Sequence, residues 1–316
     1  MGKFKKDFTA EDKEAYKEKL KNETKELTDK LEAGVESILN SDQYIEYLKF
    51  VSKFHNYSWT NNILIMLQNP EATLLAGYRT WQTKFNRQVK KGEKGIRIFA
   101  PAPIKVQRER ETINENGENV TELVEGKVMK FKPTTVFDVS QTEGDPIPEG
   151  ITINELTGEV ENYEQIFEAI KKTAPCNVYF REKAEESKGA YYHTDKCIKL
   201  NPGMSQLQTI KTLVHETAHA LLHDRDKGSL VEDVETEKIS RSQREVEAES
   251  VAYIVANHFN LDTSDYSFGY VASWGSDIKL FKVALARIQK TACHIIEGIE
   301  KSLSDEKDEA VTDTAA

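Results

Sequence analysis

Cysteine is scarce in this chain: Cys176, Cys197 and Cys293 are three among 316 residues. Their odd number and wide spacing argue against a disulfide framework and against a CxxC metal site, so they read as reduced structural thiols. Long apolar runs are also missing. The longest, Ile63 to Leu67, is far short of the ~20 residues that span a bilayer. The opening MGKFKKDFTAEDKE has no apolar core of the kind a secretion signal needs, so a cytoplasmic protein without a membrane partner is expected. Basic excess is absent as well. Lys and Arg total 43 against 53 Asp and Glu, a net charge of −10, so any nucleic-acid binding must be local. No internal repeat is visible.

The length is about twice the ~150 residues of an average domain, which predicts two domains. Residues Ser140 to Asn162 carry Gly144, Pro146, Pro148, Gly150 and Gly158 without sustained periodicity, the composition of a linker. The expected organisation is a first domain over 1–145 with a charged helix within 1–40, a linker over 146–162, a second domain over 163–303 and a disordered acidic tail over 304–316.

Helical spacing is read from Thr9 to Leu39 and from Asp42 to Phe54. A short buried helix follows in SWTNNILIMLQNP, capped by Ser58 or Thr60 and ended by Pro70. IRIFAPAPIKVQ and KVMKFKPTTVFDV read as the arms of a long hairpin, with a turn signal at Asn116-Gly117. Beyond the linker come a helix in EQIFEAIKK, a strand in CNVYFRE and a hairpin in GAYYHTDKCIKLN turning at Thr194-Asp195. Three helices close the second domain: Ser205 to His223, about Ser242 to Phe259, and one with Ile278, Phe281, Leu285, Ile288, Ala292, Ile295, Ile299 and Leu303 on one stripe. The fold class is therefore α+β, a small mixed helix and antiparallel-sheet domain followed by a mostly helical one.

His215-Glu216-Thr217-Ala218-His219 is an HExxH lying inside a predicted helix. Residues four apart share a helix face, so His215 and His219 can aim both imidazoles at one Zn2+, and Glu216, one step round, can reach the water beside it. The competing reading is two packed core histidines. A catalytic zinc needs a third protein ligand. The metzincin extension is absent, because Leu222 and Arg225 occupy its glycine and third-histidine positions. An acidic ligand from the next helix is expected instead. Glu245 is the candidate ligand and Glu249, four residues on, the partner for the second ring N–H of a ligating histidine; Glu247 is the rival ligand. His223 is expected to cap or pack at the helix end. Tyr191, Tyr192, His193 and Tyr270 are candidate oxyanion donors, the segment from Asp224 to Arg241 a candidate flap, and KCIKLN a candidate sheet edge for an extended peptide. Such a site would use Glu216 as the proton carrier in amide hydrolysis.

The second concentration of chemistry is Gly77 to Arg97. It holds Arg79, Lys84, Arg87, Lys90, Lys91, Lys94 and Arg97 against one acid, Glu93, in a chain that is acidic overall. Tyr78, Trp81 and Phe85 are interleaved, with Tyr57 and Trp59 upstream. Cations along phosphates with rings for base stacking are what single-stranded DNA requires. The alternative is rings in a core and lysines on a solvated turn.

Taken together, SWTNNILIMLQNPEATLLAGYRTWQTKFNRQVKKGEKGIRIFAP and VFDVSQTEGDPIP resemble the N-terminal single-stranded-DNA-binding domain of the ArdC antirestriction family of plasmids and conjugative elements. KCIKLNP, TLVHETAHALLH, REVEAESVAYIVANHF and YSFGYVASW resemble that family's zincin-type metallopeptidase domain, which is also similar to ImmA/IrrE proteases. The resemblance implies His215, His219 and Glu245 as zinc ligands, Glu216 as catalytic residue, single-stranded DNA as partner and, in the second domain, a zinc metalloendopeptidase with a protein substrate. DNA contacts carry over only as a region. The alternative is an ImmA-like regulatory protease whose first domain recognises a protein.

Overall fold

The computed structural model of the chain describes residues 9–113, 119–147, 163–224, 239–264, 266, 268 and 277–313. In chain order the elements are α1 (Ala10–Ser37), α2 (Ser41–Lys53), α3 (Trp59–Gln68), β1 (Leu75–Gly77), α4 (Tyr78–Lys84), β2 (Arg87–Val89), β3 (Ile96–Ile113), β4 (Asn119–Asp138), β5 (Thr142–Gly144), α5 (Tyr163–Thr173), β6 (Asn177–Phe180), β7 (Gly189–Tyr192), β8 (Cys197–Leu200), α6 (Gln206–Leu222), α7 (Arg241–His258) and α8 (Ile278–Asp313). The expected α+β class is borne out. Among the described residues no helix is long and apolar enough to cross a membrane. The Asn116-Gly117 turn, Tyr270 and most of the linker and flap segments lie outside the described residues.

Contacts divide the chain into two units, Met1–Glu32 with Leu74–Asp145 and Ala33–Thr73 with Pro146–Ala316. Chain order alone puts all of 1–145 in one domain, but α2 and α3 belong to the second unit. The reason is polar and specific. Tyr44 Oη lies 2.8 Å from Ser250 Oγ, Asn257 Nδ2 donates to Ser52 Oγ at 2.6 Å, and His258 Nδ1 lies 2.8 Å from the Ser52 carbonyl. These bonds are buried or half-buried, and losing one partner would strand the other.

In the first unit β3 and β4 form one antiparallel ladder from Ile96↔Val136 to Ile113↔Asn119, and β1 pairs with the base of β4. Among the described residues that base is buried at Ile96, Ile98, Val136, Leu75 and Trp81. Trp81 is fully buried, its Nε1–H donates to the Phe137 carbonyl at 3.0 Å, and Phe85 packs against it at 4.9 Å. Asp138 closes the turn after β4, accepting from Leu74 N at 3.1 Å and Ser140 N at 3.0 Å.

In the second unit the sheet order is β6-β8-β7, with β6 parallel and β7 antiparallel to β8. β8, the KCIKLN strand, is therefore central and has no free edge; the edge on the cleft side is β7. The stripe expected on α8 is buried at Phe281, Leu285, Ile288, Ala292, Ile295 and Ile299. The helix continues to Asp313, where a disordered tail from residue 304 was expected. Ser304 to Ala310 contains Glu, Lys and Ala and no Gly or Pro, so local propensity lets the helix continue.

Trp81→Ala should destabilise the first unit by ~3–5 kcal/mol, the cost of emptying a buried indole site. Tyr78→Ala, at a ring 49% exposed, should stay within ~0.5 kcal/mol. Urea unfolding of the full chain followed by circular dichroism separates the two.

Candidate metal centre

α6 begins at Ser205, whose Oγ accepts from Gln208 N at 3.2 Å, and its apolar residues Ile210, Leu213, Val214 and Ala218 are buried. That burial fixes the helix rotation and turns His215 and His219 to the cleft. α7 starts at a reciprocal cap between Ser240 and Gln243 and packs Ala248 and Ala252 inward. Small side chains there let the two helices approach closely.

His215 Nε2 and His219 Nε2 lie 3.0 Å apart, and Glu245 Oε2 lies 3.5 Å and 3.4 Å from them. All three donor atoms fall within 4.8 Å of one another. Ligands ~2.0 Å from a tetrahedral ion stand ~3.3 Å apart, so two imidazoles and a carboxylate at this spacing are a donor set for a divalent metal. Burial acts to lower the His215 pKa, but Glu245 and Glu249 accept from its ring and raise it to about 10. Hydrogen bonds from His215 and His219 hold Glu245 well below the usual carboxylate range.

Both histidines are also held from behind. His215 Nδ1 lies 3.1 Å from Glu249 Oε2, four residues after Glu245 on α7. His219 Nδ1 lies 3.0 Å from His223 Nδ1, and His223 Nε2 lies 2.8 Å from Glu247 Oε2. Glu247 in turn meets Arg287 at 3.2 Å, and Arg287 Nη2 donates to the Leu222 carbonyl at 2.8 Å, closing the end of α6. Glu247 and Arg287 are fully buried. Of the two rival acids, Glu245 is in the donor cluster, and Glu247 is turned away from it toward Arg287. Burial raises the Glu247 pKa and lowers that of His223.

Glu216 faces a cleft of about 780 Å3. Its Oε2 accepts from the Tyr191 backbone N–H at 2.7 Å, so β7 lies directly beside it. Gly189 permits that approach: a Cβ there would sit 2.6 Å from Thr212 Cγ2 and 3.3 Å from Glu216 Cγ. Tyr191 Oη donates to Asp224 Oδ2 at 3.0 Å, and burial and that bond push its pKa up to about 12. His193 also lines the cleft, and Tyr192 bonds Arg181.

Residues 14–137 match the N-terminal domain of anti-restriction factor ArdC, and residues 175–267 match the IrrE N-terminal-like domain. The chain therefore holds one segment similar to each of these two domains. An uncharacterized Bacillus anthracis protein, pXO2-81, is 31% identical over 325 residues, covering 92% of this chain and 53% of the relative. The chain thus spans about half the length of the curated relative it matches. Crystal structures of the antirestriction ArdC protein from the R388 plasmid are similar at TM-score 0.47. The metal-free form is 22% identical over 79% of this chain and 86% of that one. The Mn(II)-bound form is 21% identical over 78% and 84%.

The fold sorts the basic segment in two. Trp81 is core and cannot stack on a base. Arg87 is spent on β5, donating to Thr142 Oγ1 at 2.8 Å, to the Thr142 carbonyl at 3.0 Å and to Asp145 O. Arg97 pairs with Glu23 at 2.9 Å. Tyr78, Arg79, Lys84, Lys90, Lys91 and Lys94 are exposed, although Lys90 donates to the Ser140 carbonyl. Tyr57 and Trp59 are half-buried in the second unit. Sequence reasoning passed over Lys130, Phe131 and Lys132 of β4, all exposed, Phe131 at 62%. The alternation of Lys with Met and Phe in KVMKFK carried that signal.

Glu247→Gln keeps the side-chain volume but removes the charge that orients His223. It should weaken Zn2+ or Mn2+ binding by ~10–100-fold, measured by competition with a chromophoric chelator.

Proposed function

We propose that this chain is a cytoplasmic antirestriction protein of a mobile genetic element, binding single-stranded DNA through its first unit and carrying a zinc-dependent endopeptidase in its second. The observation that carries the peptidase reading is the convergence of His215, His219 and Glu245 beside Glu216 and the edge strand β7. Two imidazoles and one carboxylate leave a fourth position open, the donor set of a catalytic rather than a structural zinc. A zinc ion held by these residues would polarise a substrate carbonyl and lower the pKa of a water toward ~7.

The chain's own groups then account for the proton. Glu216 is anchored through Oε2 on Tyr191, which leaves Oε1 to take a proton from the attacking water. As the new C–O bond forms and the C–N bond breaks, Glu216 returns that proton to the leaving amine. Tyr191 directs its N–H away from β8, and by the two-residue strand repeat Gly189 faces the same way. An extended peptide added along β7 would lie with its carbonyls across the cleft.

Exposed Tyr78, Arg79, Lys84, Lys91 and Lys94, within the stretch matching the ArdC N-terminal domain, support the DNA reading. So do Lys130, Phe131 and Lys132 on the same unit. Cations would follow the phosphates and exposed rings the bases, each stacked base adding ~1–3 kcal/mol.

The test is fluorescence anisotropy of a labelled single strand and its duplex with the full chain across a salt series. Tight single-strand binding with a steep salt slope is expected, and Lys84/Lys91/Lys94→Gln should flatten that slope by about two units. Glu216→Gln should leave DNA binding and DNA protection intact while abolishing peptide cleavage. Loss of protection in Glu216→Gln would instead favour a regulatory protease of the ImmA kind.

A further inference from the structure

The walls of the metal cleft are charged in a definite order. Its acids sit in the middle, and each is engaged by the machinery already described: Glu216 by Tyr191, Glu245 and Glu249 by the two histidines. Its cations sit at the ends. Lys211 lies four residues before His215 on α6, so it stands one helical turn, ~6 Å, along the same face. Lys188 opens β7 and donates to Gln208 Oε1 at 2.7 Å, at the same end of the helix. Arg241 lies four residues before Glu245 on α7. Because His215 meets Glu249 while His219 meets Glu245, α6 and α7 run in opposite directions here. Arg241 therefore belongs to the other end of the cleft from Lys211.

Lys211 is unusual for a lysine in being only 7% exposed, and its Nζ lies 4.9 Å from the Tyr266 ring centroid. An ammonium set into a wall of low dielectric acts on a bound charge more strongly than one in open water. Lys188 donates to the neutral amide of Gln208. A strand rises ~3.3 Å per residue, so a peptide side chain about two positions from the reacting carbonyl falls opposite Lys211.

We propose that the cleft selects an extended acidic peptide, with Lys188 and Lys211 forming a carboxylate subsite on one side of the reacting bond and Arg241 a second on the other. This rests on the peptidase reading above and adds the substrate class to it.

The experiment uses the zinc-loaded full chain carrying Glu216→Gln, so that peptides bind without being cut. The probes are fluorescein-labelled peptides of one sequence, with Glu, Gln or Lys placed two residues to either side of a central Ala-Ala pair. The Glu peptide is expected to bind at least tenfold more tightly than the Gln peptide, and the Lys peptide most weakly. Lys211→Met should remove the preference on one side only. Arg241→Glu, at an exposed position where folding is not at stake, should reverse it on the other. Cleavage of the same peptides by the protein with Glu216 intact should follow the same ranking. Equal binding of all three peptides, with cleavage retained, overturns the acidic selectivity and leaves the peptidase reading standing. If no peptide is bound or cut while zinc remains loaded, both fail together.

Discussion

The meeting of α6 and α7 at His215, His219 and Glu245 is the constraint on which the rest of the second unit depends. Two half-buried imidazoles and a carboxylate have little reason to converge between two helices, since the rings lose hydration and gain only their neighbours. Convergence is stable here because the outer nitrogens are also occupied, His215 by Glu249 and His219 by the His223–Glu247–Arg287 chain. The last of these ties the metal face of α6 to α8 through a buried ion pair. A buried pair of this kind contributes little net stability, but removing one member leaves the other uncompensated. Its value is orientation.

How much of this was legible in the sequence depended on whether the relevant partner was local. HExxH and the Glu245–Glu249 pair are i, i+4 patterns on single helices, and their geometry follows from helical pitch alone. Choosing Glu245 over Glu247 needed the rotation of α7. That rotation is set by the long-range pairing of Glu247 with Arg287, forty residues on, which no local pattern announces. The edge strand was misread for a related reason. KCIKLN looks like the end of a hairpin until β6, from before the hairpin, adds to its other side in parallel. Gly189, whose missing Cβ lets β7 lie against Thr212 and Glu216, was visible only as the first residue of the predicted hairpin.

The first unit shows the limit of composition. Aromatic and basic residues crowd together between Tyr78 and Arg97, but the fold spends them differently: Trp81 on the core, Arg87 on β5 and Arg97 on Glu23. What stays exposed is mostly lysine, together with Tyr78. The unit boundaries had a similar outcome. A glycine- and proline-rich segment is readable from sequence, but a unit assembled from two separated segments is not. α2 and α3 join the metal unit although they lie inside the stretch that matches the ArdC N-terminal domain. A truncation within residues 146–162 would therefore remove Tyr44 and Ser52 and leave Ser250, Asn257 and His258 without them.

The measurement that bears most directly on the metal centre is X-ray absorption at the zinc edge on the zinc-loaded full chain, with bound metal counted by mass spectrometry. The account predicts one ion per chain with two imidazole nitrogens and one carboxylate oxygen at ~2.0–2.2 Å and a light-atom fourth neighbour. It also predicts that His219→Ala abolishes stoichiometric binding. Sulfur in the coordination shell, or full retention of zinc in His219→Ala, would contradict it.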